Sequence, residues 1–139
     1  MLVQPYLSFE GRAEEAIEFY KKAVGAKVTM VMRNKESPEQ PPMMPPNSGE
    51  KIMHCAMTIG DSVVMATDGM ISGKSKFDGI SLTITADSDS DAKKYFNNLA
   101  EGGEATMPLN KTFFASSFGM LKDKFGVHWM VIAGSTPQQ

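Results

Sequence analysis

The sequence is short of the residues that carry most protein chemistry: one cysteine, two histidines and one tryptophan are spread over 139 residues. A lone thiol, Cys55, cannot close a disulfide within the chain. At this length about two-thirds of the unfolded surface can be buried, so neither disulfide nor metal is required for stability. Charge of one sign is lacking as well. Fourteen Lys and Arg against sixteen Asp and Glu leave a net charge of -2, and no basic stripe offers nucleic acid a footprint. No apolar run approaches the roughly 18 residues of a membrane span. The opening Met1-Leu2-Val3-Gln4-Pro5 has neither a basic n-region nor an apolar h-region. It therefore predicts no secretory leader and a cytoplasmic location.

What the chain does have is methionine and phenylalanine, twelve and eight of them. Methionine is flexible and polarisable, so it fills irregular core gaps and also lines pockets that accept varied ligands.

A single order of elements is legible twice. Leu2 to Phe9 reads as a strand, followed by a helix from Arg12 to Val24 whose apolar stripe is Ala13, Ala16, Ile17, Tyr20 and Val24. Gly25 is placed to end that helix. Strands are expected over 26–33, 51–59 and 62–66, with Gly60-Asp61 as a hairpin turn. The second series opens at Gly79 to Ala86, where Ile80, Leu82 and Ile84 alternate with Ser81, Thr83 and Thr85. A helix over 90–100 follows, with Ala92, Tyr95, Phe96, Leu99 and Ala100 as its stripe, and strands over 104–109, 116–122 and 127–133 complete it. The aromatic pairs Phe19-Tyr20 and Tyr95-Phe96 fall at matching places.

This predicts one α+β domain of two βαβββ modules, about 1–72 and 73–139, forming a curved mixed sheet around a cup. One helix leaves one face of each sheet uncovered, and two such faces would wall a ligand-sized concavity. A long insertion over 34–50 holds Pro38, Pro41, Pro42, Pro45 and Pro46, and Met43-Met44 within it is placed to act as a lid.

Several stretches resemble the vicinal oxygen chelate superfamily, which includes glyoxalase I, bleomycin-resistance proteins and extradiol dioxygenases, and within it the PhnB-like branch. They are Pro5 to Phe9, Ala13-Glu14-Glu15-Ala16-Ile17-Glu18-Phe19-Tyr20 running to Gly25-Ala26, Ile52-Met53-His54, Asp61 to Met65, and Asp123-Lys124-Phe125-Gly126-Val127-His128-Trp129-Met130. The resemblance covers nearly the whole chain in order and implies the same fold and a homodimer. Activity does not follow from it, since the superfamily spans lyases, dioxygenases, thiol transferases and plain binders.

Enzymes of that superfamily hold a divalent metal with four side chains from the first and fourth strands of each half. The resemblance places those positions near Met65, Gly79 and Met130, with the first at Gln4 or Pro5 depending on strand register. Thioethers suit soft ions such as copper(I), and glycine offers no ligand, so the usual metal site is expected to be absent and no cofactor is predicted. A displaced site from His54, His128 and Asp68 is the alternative.

With no metal, the expected lining is Tyr6, His54, Met65, Ser81, Thr83, Thr85, Phe114, His128 and Met130. Such a surface suits a small, partly planar organic molecule held by stacking and a few hydrogen bonds. Trp129, of opposite parity to Met130, is expected in the core, and Cys55 is expected to be buried and inert. The function predicted is therefore metal-free small-molecule binding or sequestration, as in bleomycin-resistance proteins, and not catalysis. The competing expectation is a metal-dependent lyase or dioxygenase of the glyoxalase type using His54 and His128.

Overall fold

Helix α1 spans Ala13–Val24 and buries Ala13, Ala16, Ile17, Tyr20 and Val24, the stripe that helical spacing predicts. It ends at Gly25, whose left-handed backbone (φ 69°) spares the Cβ penalty another residue would bear. Helix α2 spans Asp89–Ala100 and buries Ala92, Phe96 and Leu99, with Tyr95 half-buried like Phe19 in α1. The computed structural model describes residues 1–38, 45 and 47–135. The Met43-Met44 lid expected from the sequence lies outside those residues.

The chain divides into two compact units, Met1–Ser75 and Lys76–Gln139. In the first, strands β1 (Tyr6–Ser8), β2 (Lys27–Arg33), β3 (Ile52–Ile59) and β4 (Ser62–Thr67) form a sheet of order β1-β4-β3-β2. In the second, β5 (Ser81–Ala86), β6 (Glu104–Asn110), β7 (Ser117–Lys122) and β8 (His128–Ala133) form a sheet of order β5-β8-β7-β6. In each the first strand runs parallel to the fourth and the other pairs are antiparallel. Among the described residues the architecture is thus α+β, two βαβββ modules with one α-helix each.

Two strands are shorter than alternation suggests. The first begins at Tyr6, not Leu2, because Pro5 has no N–H to give the ladder; only its carbonyl pairs, accepting from the Met65 N–H at 3.0 Å. The fifth begins at Ser81, not Gly79, whose φ of 80° is outside strand geometry.

Each unit is pinned by a buried aspartate. Asp68 is 2% exposed. Its Oδ1 accepts the Ala13 N–H at 2.8 Å, and its Oδ2 accepts the Ile52 N–H at 2.7 Å. Arg12, at the start of α1, makes no side-chain cap, so Asp68 satisfies a helix-end donor from afar. Asp123 is 3% exposed and shapes the turn into β8, accepting the N–H groups of Phe125 and Val127 and the Trp129 indole N–H at 2.9–3.0 Å. That bond accounts for Trp129 in the core with its polar edge satisfied.

Candidate functional site

Strand parity sorts the expected site residues onto one face of each sheet. In the first unit, Phe9 meets Tyr20 of α1 at 6.1 Å between ring centroids, so Leu7 and Phe9 face the helix and Tyr6 faces away. Tyr6 lies beside Met65 in the parallel β1–β4 pair. Ala56 of β3 is Met65's other neighbour, and His54, two residues along, shares that face.

The Tyr6 hydroxyl and His54 Nδ1 are 2.9 Å apart, and the two rings stack at 5.4 Å with an interplanar angle of 22°. Tyr6 remains 50% exposed. Burial of part of its ring raises the phenol's pKa above the ordinary value, against a hydrogen bond with Thr67 that lowers it, so the phenol is neutral near pH 7. A stacked aromatic and imidazole with a hydroxyl at their junction make a platform for a planar molecule and a hydrogen bond to orient it.

Neighbours of opposite parity are spent on the core. Cys55 is fully buried, and desolvation pushes its thiol up to about 11. It is a packing residue with little thiolate near neutral pH.

In the second unit, a Cβ on Gly119 would stand 2.7 Å from the Phe96 ring of α2. Gly119 therefore faces the helix, and Phe118 and Met120 face away from it. Met130 pairs with Met120 on one side and with Thr83 on the other, whose Oγ1 is 3.9 Å from the Met130 sulfur. Ser81 lies beside His128 on the same face. The His128 Nε2 is 3.9 Å from the Asp78 carboxylate. Phe114 meets Phe118 edge-on at 5.0 Å and Phe113 at 5.1 Å, extending this face with aromatic surface.

The fit to a hard divalent ion fails on donors. Neither Gln4 nor Pro5 belongs to β1, and the residue beside Met65 is Tyr6. Gly79 precedes β5, and the residue beside Met130 is Thr83. None of Gln4, Pro5, Tyr6, Met65, Gly79, Thr83 and Met130 supplies the imidazole or carboxylate that such an ion calls for. Each oxygen of Asp68 accepts a backbone N–H, so its burial is accounted for by the fold of the first unit. Among the described residues no group of three or more His, Cys, Asp or Glu could hold a metal ion.

Sequence reasoning missed two contributors, Phe118 and Met120. Their alternation with Ser117, Gly119 and Leu121 was the available signal, obscured because Gly119 breaks the apolar pattern.

The chain as a whole is similar to several known proteins. The family model for 3-demethylubiquinone-9 3-methyltransferase matches residues 2–132. Protein YjdN of Escherichia coli (strain K12) is 35% identical, with 94% of each chain covered. Protein PA1353 from Pseudomonas aeruginosa is 36% identical with a TM-score of 0.84, covering 98% of this chain and 99% of that one. The PhnB protein from Bacillus cereus is 27% identical with a TM-score of 0.78, covering 96% and 99%. At 15% identity and a TM-score of 0.67, a glyoxylase/bleomycin resistance protein/dioxygenase domain from Frankia shares the fold, over 99% of this chain and 94% of its own. No helix among the described residues is long and apolar enough to cross a membrane.

Proposed function

Because the chain belongs to the 3-demethylubiquinone-9 3-methyltransferase family, in the PhnB-like branch of the glyoxalase/bleomycin resistance/dioxygenase superfamily, we propose that it binds a small planar organic molecule on the helix-free faces of its sheets, without a metal. The observation that carries this reading is the Tyr6–His54 pair, stacked and hydrogen-bonded at 2.9 Å on a face that also presents Met65. Ser81, Thr83, Phe114, His128 and Met130 supply matching aromatic, thioether and hydroxyl surface in the second unit. Stacking gives affinity with little geometric demand, while the hydroxyl and imidazole groups fix orientation. Sequestration of a drug or metabolite is the role this surface suits, and the setting proposed for it is a homodimer in the cytoplasm.

The test is a thermal-shift screen against planar aromatic compounds, substituted benzoquinones and bleomycin-type glycopeptides. A ligand for the native state at a hundred times its Kd stabilises by about 2.7 kcal/mol and must raise the midpoint. Tyr6→Ala should abolish the shift of a ligand held on the first sheet, and Phe114→Ala that of one held on the second, each leaving the unliganded midpoint near its starting value. Silence across the panel would sink the proposal. The competing reading, a metal-dependent lyase or dioxygenase using His54 and His128, would gain if protein purified without chelator carried stoichiometric Fe, Ni, Zn or Mn, lost in both His→Ala variants.

A further inference from the structure

The second sheet carries a row of side chains that overlaps the proposed binding face and extends beyond it. Thr83 of β5, Met130 of β8, Met120 of β7 and Met107 of β6 are successive register partners across all four strands. Met107 opposes Met120 at a single register position between two irregularities of the β6–β7 ladder, and Met120 and Met130 lie on the face opposite α2, because Gly119, beside Met120, faces Phe96. Three thioethers therefore stand side by side on adjacent strands. Met107 is 46% exposed, and Met120 and Met130 are half-buried.

Adjacent strands are about 4.8 Å apart, and each sulfur sits on an unbranched side chain with three rotatable bonds. Three neighbouring sulfurs can thus meet around one ion, with Met120 in the middle. The Thr83 hydroxyl contacts the Met130 sulfur at 3.9 Å. That contact engages one of the sulfur's two lone pairs and leaves the other for an ion.

The first unit supplies an internal control. Its corresponding row is Tyr6, Met65, Ala56 and Met30. Alanine holds the middle, so the two thioethers are separated by two strand spacings, roughly 10 Å.

We infer that Met107, Met120 and Met130 form a site for a soft monovalent d¹⁰ cation, copper(I), held by three neutral thioethers, and that the corresponding row of the first unit does not. Soft ligands select copper(I) over the harder divalent ions that the donor set rejects. A thioether carries no proton at accessible pH, so binding should persist in mild acid, where imidazole and thiolate sites lose their ligands to protons. This inference is independent of whether an organic molecule binds the same face.

Silver(I), added as the nitrate in chloride-free and thiol-free buffer, is the probe for the full-length chain labelled with ¹³C at the methionine methyls. Cys55→Ser and the unmodified chain are titrated in parallel, so that capture by the thiol is visible. One equivalent is expected to shift the methyl signals of Met107, Met120 and Met130 and to leave those of Met30 and Met65 in place, at neutral pH and at about pH 5.5 alike. Met120→Leu conserves volume and apolarity, so it should keep the metal-free midpoint nearly unchanged while weakening binding by more than about tenfold. Copper(I), delivered in competition with bicinchoninate, should show the same dependence. Unmoved methyl signals, undiminished binding in Met120→Leu, or binding lost in mild acid or with Cys55→Ser would each overturn the assignment.

Discussion

Helix α1 is capped from 55 residues away by Asp68, in the loop after β4, whereas α2 has its own cap in Ser88, whose hydroxyl accepts the Asp91 N–H at 3.0 Å. The strand order of the two units is the same, yet one relies on tertiary structure for what the other does locally. The middle strand differs too. Where β7 carries Gly119 against α2 and Met120 away from it, the register gives β3 Cys55 and Ala56. The fold constrains which face a position belongs to and leaves its chemistry free.

The cap contrast can be broken first, and with the largest effect. Asp68→Ala leaves two buried N–H groups without their carboxylate and should cost about 3 kcal/mol, while Ser88→Ala should cost about 1 kcal/mol. Urea denaturation of the two variants measures the difference, and equal losses would show that the remote cap has no special weight.

The helix-facing position of the middle strand gives an intermediate effect of opposite chemistry in the two units. A Cβ on Gly119 would stand 2.7 Å from the Phe96 ring and 2.9 Å from the Leu109 backbone. Gly119→Ala should therefore destabilise by about 2 kcal/mol through overpacking. At the counterpart, Cys55→Ala removes a buried sulfur beside the small Ala66 and should cost about 1 kcal/mol. Thermal midpoints of the pair would reveal whether tight helix approach is peculiar to the second unit.

The smallest effect sharpens the likeness between the units. Each has a carboxylate held below its ordinary value by serine hydroxyls: Glu10 by Ser8 first and then Ser72, with the Met70 N–H adding to them, and Asp89 by Ser116 and Ser117. A group with a lowered folded pKa stabilises above its ordinary value, 4.5 for Glu10 and 3.8 for Asp89, and that contribution fades as pH falls through the folded value. Glu10→Gln and Asp89→Asn should each flatten the acid limb of the stability curve below those values and narrow the gap in stability between variant and parent there. An acid limb as steep as the parent's would remove these carboxylates from the account.

The helices, the strand parities and the duplication were legible because their signals are periodic and local. Ala13, Ala16, Ile17, Tyr20 and Val24 announce a helix face within twelve residues, and the alternation of Trp129 with Met130 separates core from open face. The common face of Tyr6, His54 and Met65 was legible to the same depth, since strand parity places them as the register does. The partnership of Tyr6 and His54 was not, since 48 residues separate them. The structural part of Asp68 was hidden for a related reason: only the proximity of Ala13 and Ile52 shows which N–H groups its oxygens accept.

Local chemistry, then, decided that two βαβββ modules would form and which side of each strand would be apolar, because the periods of 3.6 and 2 act between near neighbours in the chain. Folding decided who stands beside whom: Tyr6 by Met65, Met120 between Met107 and Met130, Asp68 at the start of α1. Those pairings depend on strand register, which bulges such as that between Val28 and Met30 shift by one residue at a time. No pattern within a single segment records a distance between two segments.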